Sequence, residues 1–233
     1  MPRRILLKLT GEMFGDENGV GIDFGKVEKV ANYIGHLLST KAIDLVIVVG
    51  GGNIFRGRNL TKELFDLPMA DYIGMLATAQ NGIALQGKLE MAGVPCRLMS
   101  AFEMKTVCEP FILKRARRHL EKGRVVIIVC GMGIPSYTTD TAAANYASQL
   151  DCELFKGSNV DGVYTSDPKK DKTAQKLPQL SYQEALTRKI GVMDPTAFAI
   201  CMMQNIPITI FNVSMLENIE LILNGADIGT RIS

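Results

Sequence analysis

The sequence predicts an α/β fold: a three-layer αβα sandwich with a mainly parallel central sheet. Three observations carry this. Short apolar runs alternate along the chain with longer segments of helical periodicity. The runs are continuous and β-branched rather than alternating, as expected of strands covered on both faces. The helical segments between them serve as right-handed crossovers between parallel neighbours.

Ile5-Leu6-Leu7-Lys8-Leu9 reads as the first strand and stops at Thr10-Gly11. From Asp23, an N-cap candidate, Val27, Val30, Ile34, Leu37 and Leu38 recur at helical spacing to Thr40. Leu45–Val49 is a buried strand ending at Gly50-Gly51-Gly52. A long helix from Asp71 to Ala92 delivers the chain into Val94–Leu98, and a helix from Phe111 to Lys122 precedes the strand Val125–Val129. After Gly131-Met132-Gly133-Ile134-Pro135 a further helix runs from Thr139 to Leu150. Beyond Asp151 the elements shorten: Glu153–Lys156, Val160–Tyr164, the polar stretch Ser166–Lys176, two helices and the strand Pro207–Phe211. Lys169–Lys176 reads as a mobile loop, and no repeat divides the chain. The expectation is one globular unit of residues 1–233, with lobes meeting near residue 150.

The 233 residues are 47% hydrophobic and 21% charged, a globular balance. That length is roughly one and a half domains at about 150 residues each, enough to bury a core without disulfides or a structural metal. Lys+Arg 26 against Asp+Glu 24 leaves +2, too little for electrostatic capture of nucleic acid. The basic run Lys114-Arg115-Arg117-Arg118 reads as the solvated face of a helix. The longest apolar runs fall far short of the ~20 residues that span a bilayer. Lys8 interrupts the first of them, so no signal-peptide core follows Met1-Pro2-Arg3-Arg4. The five cysteines are widely spaced and His36 and His119 are the two histidines, which points to free thiols in the cytoplasm rather than a zinc site.

In a parallel sheet, ligands bind outside the carboxyl ends of the strands. Three glycine turns fall there: Thr10-Gly11, Gly50-Gly51-Gly52-Asn53 and Gly131-Met132-Gly133. Such turns let backbone N–H groups approach an anion, and a following helix N-terminus adds its dipole. Lys8 and Arg56 stand beside two of them, and Lys156 ends another strand. A lysine in an apolar strand either snorkels to water or faces an anion. Gly82–Leu89 fits the spacing of a P-loop but ends in leucine where a hydroxyl must hold Mg²⁺, and no G-x-G-x-x-G is present. Asp71 and Asp140 stand at expected helix starts, where a carboxylate serves as a cap or as a ligand group. Asp161 and Asp167 are turn residues or site residues.

Taken in order, Lys8–Glu12, Gly50–Gly57, Asp71–Thr78, Pro135–Ala143 and Val160–Pro168 resemble the amino acid kinase family, and the G-M-L-A-T block after Asp71 resembles its UMP kinase branch. The resemblance covers nearly the whole chain. It implies transfer of the ATP γ-phosphoryl group to UMP with Mg²⁺, giving UDP for pyrimidine nucleotide biosynthesis. It also implies a homohexamer, feedback inhibition by UTP at the UMP site, an acceptor lobe over residues 1–150 and an ATP lobe over 151–233. Carried over by position, Lys8, Leu9, Thr10, Gly11, Gly52 and Arg56 face the ATP phosphates, while Ser158, Tyr164 and Asp167 contact its adenosine. Gly51, Asp71 and the loop Met132, Gly133, Ile134, Pro135, Ser136, Tyr137, Thr138 and Thr139 hold UMP. Lys8, Asp140 and Lys156 form the catalytic group, and no side chain is assigned to the metal.

Three departures mark this chain. The family loop G-T-G-N-P-F-F-T-T here reads Gly131-Met-Gly-Ile-Pro-Ser-Tyr-Thr-Thr139, which changes the walls that choose uracil over cytosine. Ser158-Asn159 replaces a Thr-Lys pair on the ATP side. Gln86 and Glu90 stand where GTP-activated members carry arginine and histidine, so GTP activation is not expected. Two other readings stay within the fold: a kinase of carboxylate or carbamate acceptors, which would lack the G-M-L-A-T block, and a non-catalytic oligomeric nucleotide- or anion-binding protein, which could dispense with Lys8 and Asp140.

Overall fold

The computed structural model describes residues 2–56, 65–166, 171–188 and 190–233. Strands β1 (Arg3–Leu9) and β2 (Ile43–Val49) each begin two residues before the expected run. Arg3 and Arg4 join the ladder because Glu153 and Asp44 accept from their guanidinium groups. A 3₁₀ turn over Gly11–Phe14 follows β1. Helix α1 (Phe24–Thr40) starts as expected on Asp23, whose carboxylate accepts from the Gly25 and Lys26 N–H groups. Helix α2 (Leu67–Met91) corrects the sequence reading. It begins before Asp71, with Pro68 in its first turn where the missing N–H costs no hydrogen bond. Asp71 therefore lies inside the helix and is not its cap.

Strand β3 (Cys96–Ser100) sits two residues later than the expected run Val94–Leu98. It is followed by the short β4 (Glu109–Pro110), α3 (Leu113–Glu121), β5 (Val125–Val129) and α4 (Thr139–Leu150). The last third holds β6 (Glu153–Ser158), β7 (Val163–Tyr164), β8 (Lys176–Leu177), β9 (Gln179–Leu180), α5 (Tyr182–Thr187), α6 (Pro195–Gln204), β10 (Ile208–Asn212), α7 (Glu217–Leu223) and β11 (Thr230–Ile232). Val160-Asp161-Gly162 turns rather than extends, leaving the two-residue β7 to pair antiparallel with β8. Lys176, expected in a mobile loop, is thus a strand residue opposite Tyr164.

Among the described residues the main sheet has nine strands in the order β4-β3-β5-β2-β1-β6-β10-β11-β9. Every neighbouring pair in it is parallel except β10 with β11. The period of two along each strand sends alternate side chains to opposite faces. Ile5, Leu7 and Leu9 of β1 join Val30, Ile34 and Leu85 of α1 and α2 on one face. Leu6 joins Leu154 of β6, Tyr146 of α4 and Phe198 of α6 on the other. This makes three layers, with two cores separated by the sheet. The same alternation decides the chemistry, because Lys8 must share the α4 face with Leu6, and Lys156 must share it with Leu154.

Cys96, Cys130, Cys152 and Cys201 are buried and Cys108 is half-buried, all as free thiols. Burial pushes the thiols of Cys130, Cys152 and Cys201 up to about 12, which keeps them protonated and unreactive. Among the described residues no helix is long and apolar enough to cross a membrane.

Candidate active site

At the carboxyl edge of the sheet, β1 and β6 run in a register that sets Lys8 directly opposite Lys156. Two ammonium groups side by side repel unless something anionic lies between them. Asp140 supplies it from the first turn of α4, which crosses this face of the sheet. Lys8 Nζ lies 2.9 Å from Asp140 Oδ1, and Lys156 Nζ donates to Oδ2. Each carboxylate oxygen of Asp140 thus faces one ammonium group. The three side chains are only 11%, 15% and 7% exposed for Lys8, Asp140 and Lys156.

The protonation states follow from that burial. Desolvation alone would raise the Asp140 pKa, but the charges of Lys8 and Lys156 outweigh it and hold the carboxyl below its usual range. Desolvation pushes Lys156 down to about 8, against the opposing pull of Asp140. At neutral pH Asp140 is therefore a carboxylate and Lys156 an ammonium ion, and with the Lys8 side chain beside them the mouth of the strands is net positive.

Asp140 is not the cap of its helix. That role belongs to Thr138, whose hydroxyl accepts from the Asp140 and Thr141 N–H groups and frees the Asp140 carboxylate for the lysines. The Thr138 hydroxyl in turn donates to Asp194 Oδ2 at 2.5 Å, and the Thr141 hydroxyl to Asp194 Oδ1 at 2.9 Å. Asp194 caps α6 as well, accepting from Ala197 N–H at 2.9 Å. One carboxylate thus fastens the start of α4 to the start of α6. The Asp194-Pro195 pair signals a helix start in sequence, but its reach to Thr138 is a tertiary fact that no local pattern carries.

The glycine turns pack against one another beside this group. A Cβ on Gly11 would stand 2.5 Å from Asn53 Oδ1 and 2.7 Å from Gly52 N, so the turn after β1 has to be glycine. Gly51 backs onto α2, where a Cβ would meet Ala77 Cβ at 2.8 Å. Gly52 has open space on its side-chain face, with nothing within 4 Å. Arg56 donates from Nε to Gly52 O at 2.9 Å and from Nη2 to Glu12 Oε1 at 2.5 Å. Asn159 donates to the other Glu12 oxygen at 2.6 Å. Glu12 therefore ties the turns after β1, β2 and β6 together, a role that its place beside Gly11 does not announce.

Thr10 and Gly11 lead from the end of β1, where Leu9 is fully buried, to these turns. Asp71, on the inner side of α2, accepts from Ser136 N–H at 2.8 Å and so holds the loop after β5 against the helix. That loop is shaped by positive φ at Cys130 (65°), Gly131 (55°), Gly133 (76°) and Ser136 (74°). For Cys130 and Ser136 this is a strained backbone held by its surroundings, and Thr78 Oγ1 accepts from Cys130 N–H at 2.7 Å. Gly51, Gly52, Asp71, Tyr137 and Thr139 line one cavity of about 160 Å³. Met132 packs toward the α4-side core, and Ile134 and Tyr137 are exposed. Pro135 is half-buried between them.

On the far side, Ser158 ends β6 and its carbonyl accepts from Val213 N–H. Tyr164 donates to Asp161 and lines a cavity of about 730 Å³ with Arg188, Ile190 and Val192. Arg56, Glu12 and Asn159 line a different one of about 570 Å³. The structure thus gathers Lys8, Lys156, Asp140, Gly51, Gly52, Arg56 and Asp71 along one sheet edge and sets Tyr164 in a neighbouring cavity. Asp167 lies outside the described residues. A cavity of about 400 Å³ at the opposite edge holds Arg3 and Arg4 already paired to Glu153 and Asp44, away from the glycine turns.

Such an edge can hold polyanions and stabilise charge passing between them. Comparison with known proteins agrees. The amino acid kinase family profile matches residues 3–212. The structure is similar to a UMP kinase from Bacillus anthracis, with TM-score 0.94 and 34% identity over 100% of this chain and 97% of that one. A UMP kinase from Ureaplasma parvum gives TM-score 0.93 and 33% identity over 100% and 99%. A uridylate kinase from Archaeoglobus fulgidus gives 0.71 and 27% over 98% and 99%.

Proposed function

The chain belongs to the amino acid kinase family and is a phosphotransferase by that membership, and from this premise we propose that it transfers the γ-phosphoryl group of Mg-ATP to UMP, giving ADP and UDP. The observation that carries the reading is Asp140 clamped between Lys8 and Lys156 beside the open face of Gly52. The UMP kinases of similar structure support the choice of acceptor.

The chemistry needs no general base. A phosphate monoester has its second pKa near ~6, so the UMP oxygen that attacks is already ionised at neutral pH. Catalysis then consists of alignment and of neutralising charge on the group in flight. Lys8 and Lys156 supply fixed positive charge at the strand mouths, and Asp140 keeps both ammonium groups aimed at one point. In this proposal the ATP phosphates lie against Lys8, Leu9, Thr10, Gly11, Gly52 and Arg56, with Ser158, Tyr164 and Asp167 toward adenosine. A guanidinium has five N–H donors, so Arg56 keeps some for phosphate while bound to Gly52 and Glu12. UMP lies between Gly51, Asp71 and residues 132–139.

Asp140 turns its carboxylate to two lysines, so among the described residues the centre of the site offers the donor cations rather than a carboxylate free for a metal. Mg²⁺ therefore enters in this proposal on the nucleotide's own phosphates, as is common for this ion. UTP, sharing the uridine and its phosphate, would compete at the acceptor site. Gln86 donates to Glu90 at 2.9 Å, so neither position supplies a cation, and GTP is not expected to activate. Met69, Tyr72, Ile73, Leu76 and Ile83 leave α2 with apolar side chains between 38% and 52% exposed. We propose that copies of the chain cover them in a homo-oligomer, a hexamer by family resemblance, working in the cytoplasm in pyrimidine nucleotide synthesis.

Phosphorus NMR of the protein with Mg-ATP and UMP tests the activity. UDP and ADP growing in equal amounts supports it; ADP growing without UDP, or no change, overturns it.

A further inference from the structure

We infer that a fully buried amide pair, Asn53 with Asn81, is the positioning element that holds the phosphate-facing turn Gly50–Gly52 to helix α2. Asn53 is 3% exposed and Asn81 fully buried. Asn53 Nδ2 donates to Asn81 Oδ1 at 3.0 Å and to Gly21 O at 2.6 Å. Asn81 Nδ2 donates to Asn53 Oδ1 at 2.7 Å and to Gly50 O at 2.8 Å. All four N–H bonds of the two amides are used. The two backbone carbonyls decide which way each amide faces, since a flipped amide would set oxygen against oxygen.

The pair sits where three pieces of chain meet. Gly50 O belongs to the turn after β2, and Gly21 O belongs to the loop between the 3₁₀ turn and α1. Gly21 N–H returns a bond to Asn53 O at 2.9 Å. Asn53 Oδ1 is also the atom nearest the missing side chain of Gly11, at 2.5 Å from an ideal Cβ. Both turns that face the proposed donor phosphates therefore rest on one asparagine, which its partner anchors to a long helix. That helix also carries Asp71 on the acceptor side. A fully satisfied buried polar network is rigid, and losing one member leaves the others unpaired. The pair touches no reacting atom in this account. It acts by fixing the N–H groups and the open face of Gly52 relative to Lys8 and Asp71.

This inference rests on the phosphotransfer reading, and its test separates the two. Asn53→Leu, Asn81→Leu and the double variant are assayed at a temperature well below the melting point of each. Asn81→Ser, which leaves room for a water to satisfy Gly50 O, stands in if the leucine variants do not fold. The readouts are kcat/KM for UMP and calorimetric affinity for Mg-ATP. Displacing the turn by about 1 Å should lower kcat/KM on the order of 10²-fold and weaken Mg-ATP binding. The double variant should be no worse than the weaker single, because the two amides act as one unit. A core truncation remote from the site, Leu120→Ala on α3, should lower the melting point and leave kcat/KM unchanged. Folded Asn81 variants with wild-type kcat/KM and wild-type Mg-ATP affinity overturn the inference. Wild-type protein that binds Mg-ATP but phosphorylates no UMP faults the acceptor reading instead, and the Mg-ATP arm still decides the amide pair.

Discussion

Asp140→Asn removes one charge, keeps the shape of the side chain and turns one acceptor oxygen into an N–H donor. Its consequences come from the lost charge and the lost acceptor between two lysines. Lys8 and Lys156 are opposed in register and almost fully enclosed, with side chains 11% and 7% exposed. Without the carboxylate, two buried ammonium groups face each other uncompensated. Removing one partner from a buried ion pair typically destabilises by about 3–5 kcal/mol. For a chain of this size each kcal/mol moves Tm by roughly 2–4 °C, so the expected fall is about 6–20 °C. The protein can relieve part of this by releasing the Lys156 proton, since that lysine is already pushed down to about 8 and loses its main anionic neighbour. The sign follows. A lysine whose folded pKa lies below its unfolded 10.5 makes the folded state bind fewer protons, so stability rises with pH between the two values. Asp140→Asn should therefore show a Tm that climbs from pH 7 to 9 more steeply than that of the wild type. Scanning calorimetry across that range measures it, with kcat measured in parallel and expected to fall on the order of 10²-fold or more. A variant with wild-type Tm, wild-type pH dependence and wild-type kcat would refute the clamp.

Lys8→Ala should lower kcat by roughly 10²–10³, about 3–4 kcal/mol of transition-state stabilisation, in steady-state assays; a near-unchanged kcat removes Lys8 from the mechanism. The kcat/KM for ATP should fall as pH rises through about 8, where free Lys156 loses its proton, and the limb should move to higher pH in Lys156→Arg, which stays charged. Gly11→Ala and Gly52→Ala should part company. The first drives a methyl to within 2.5 Å of Asn53 Oδ1 and should destabilise by about 1–3 kcal/mol in urea unfolding. The second meets nothing within 4 Å, so the fold should be unharmed and the loss should appear as a raised KM for nucleotide.

Much of the fold was legible because it is written in local periodicity. Leu45–Val49 and Val125–Val129 are continuous β-branched runs, and the α1 stripe from Val27 to Leu37 recurs at helical spacing. Strands of two or three residues, such as β4, β9 and β11, are too short to carry a period and exist only because neighbours pair with them. Pro68 marks the start of α2, but Asp71 competes with it in the sequence as a cap candidate, and only the structure separates the two. The site divides the same way. Lys8 and Lys156 were visible as cations ending apolar strands, and the glycine turns by their composition. That the lysines oppose each other depends on the parallel register of β1 with β6, across 148 residues of chain. Asp140 stood open between cap and ligand until Thr138 took the cap. Asp194, Glu12 and the Asn53–Asn81 pair act through partners remote in sequence, and their residue types are ordinary in turns and helix starts.

The most direct test of the account is a coupled ADP-release assay with Mg-ATP against UMP, CMP, dUMP and carbamate. The account predicts turnover with UMP and a clear preference for it over carbamate, with CMP reporting how far the Met132–Tyr137 loop still selects uracil. No turnover with any acceptor, by protein that binds Mg-ATP, would contradict it and leave the chain a nucleotide-binding member of its family without the proposed chemistry.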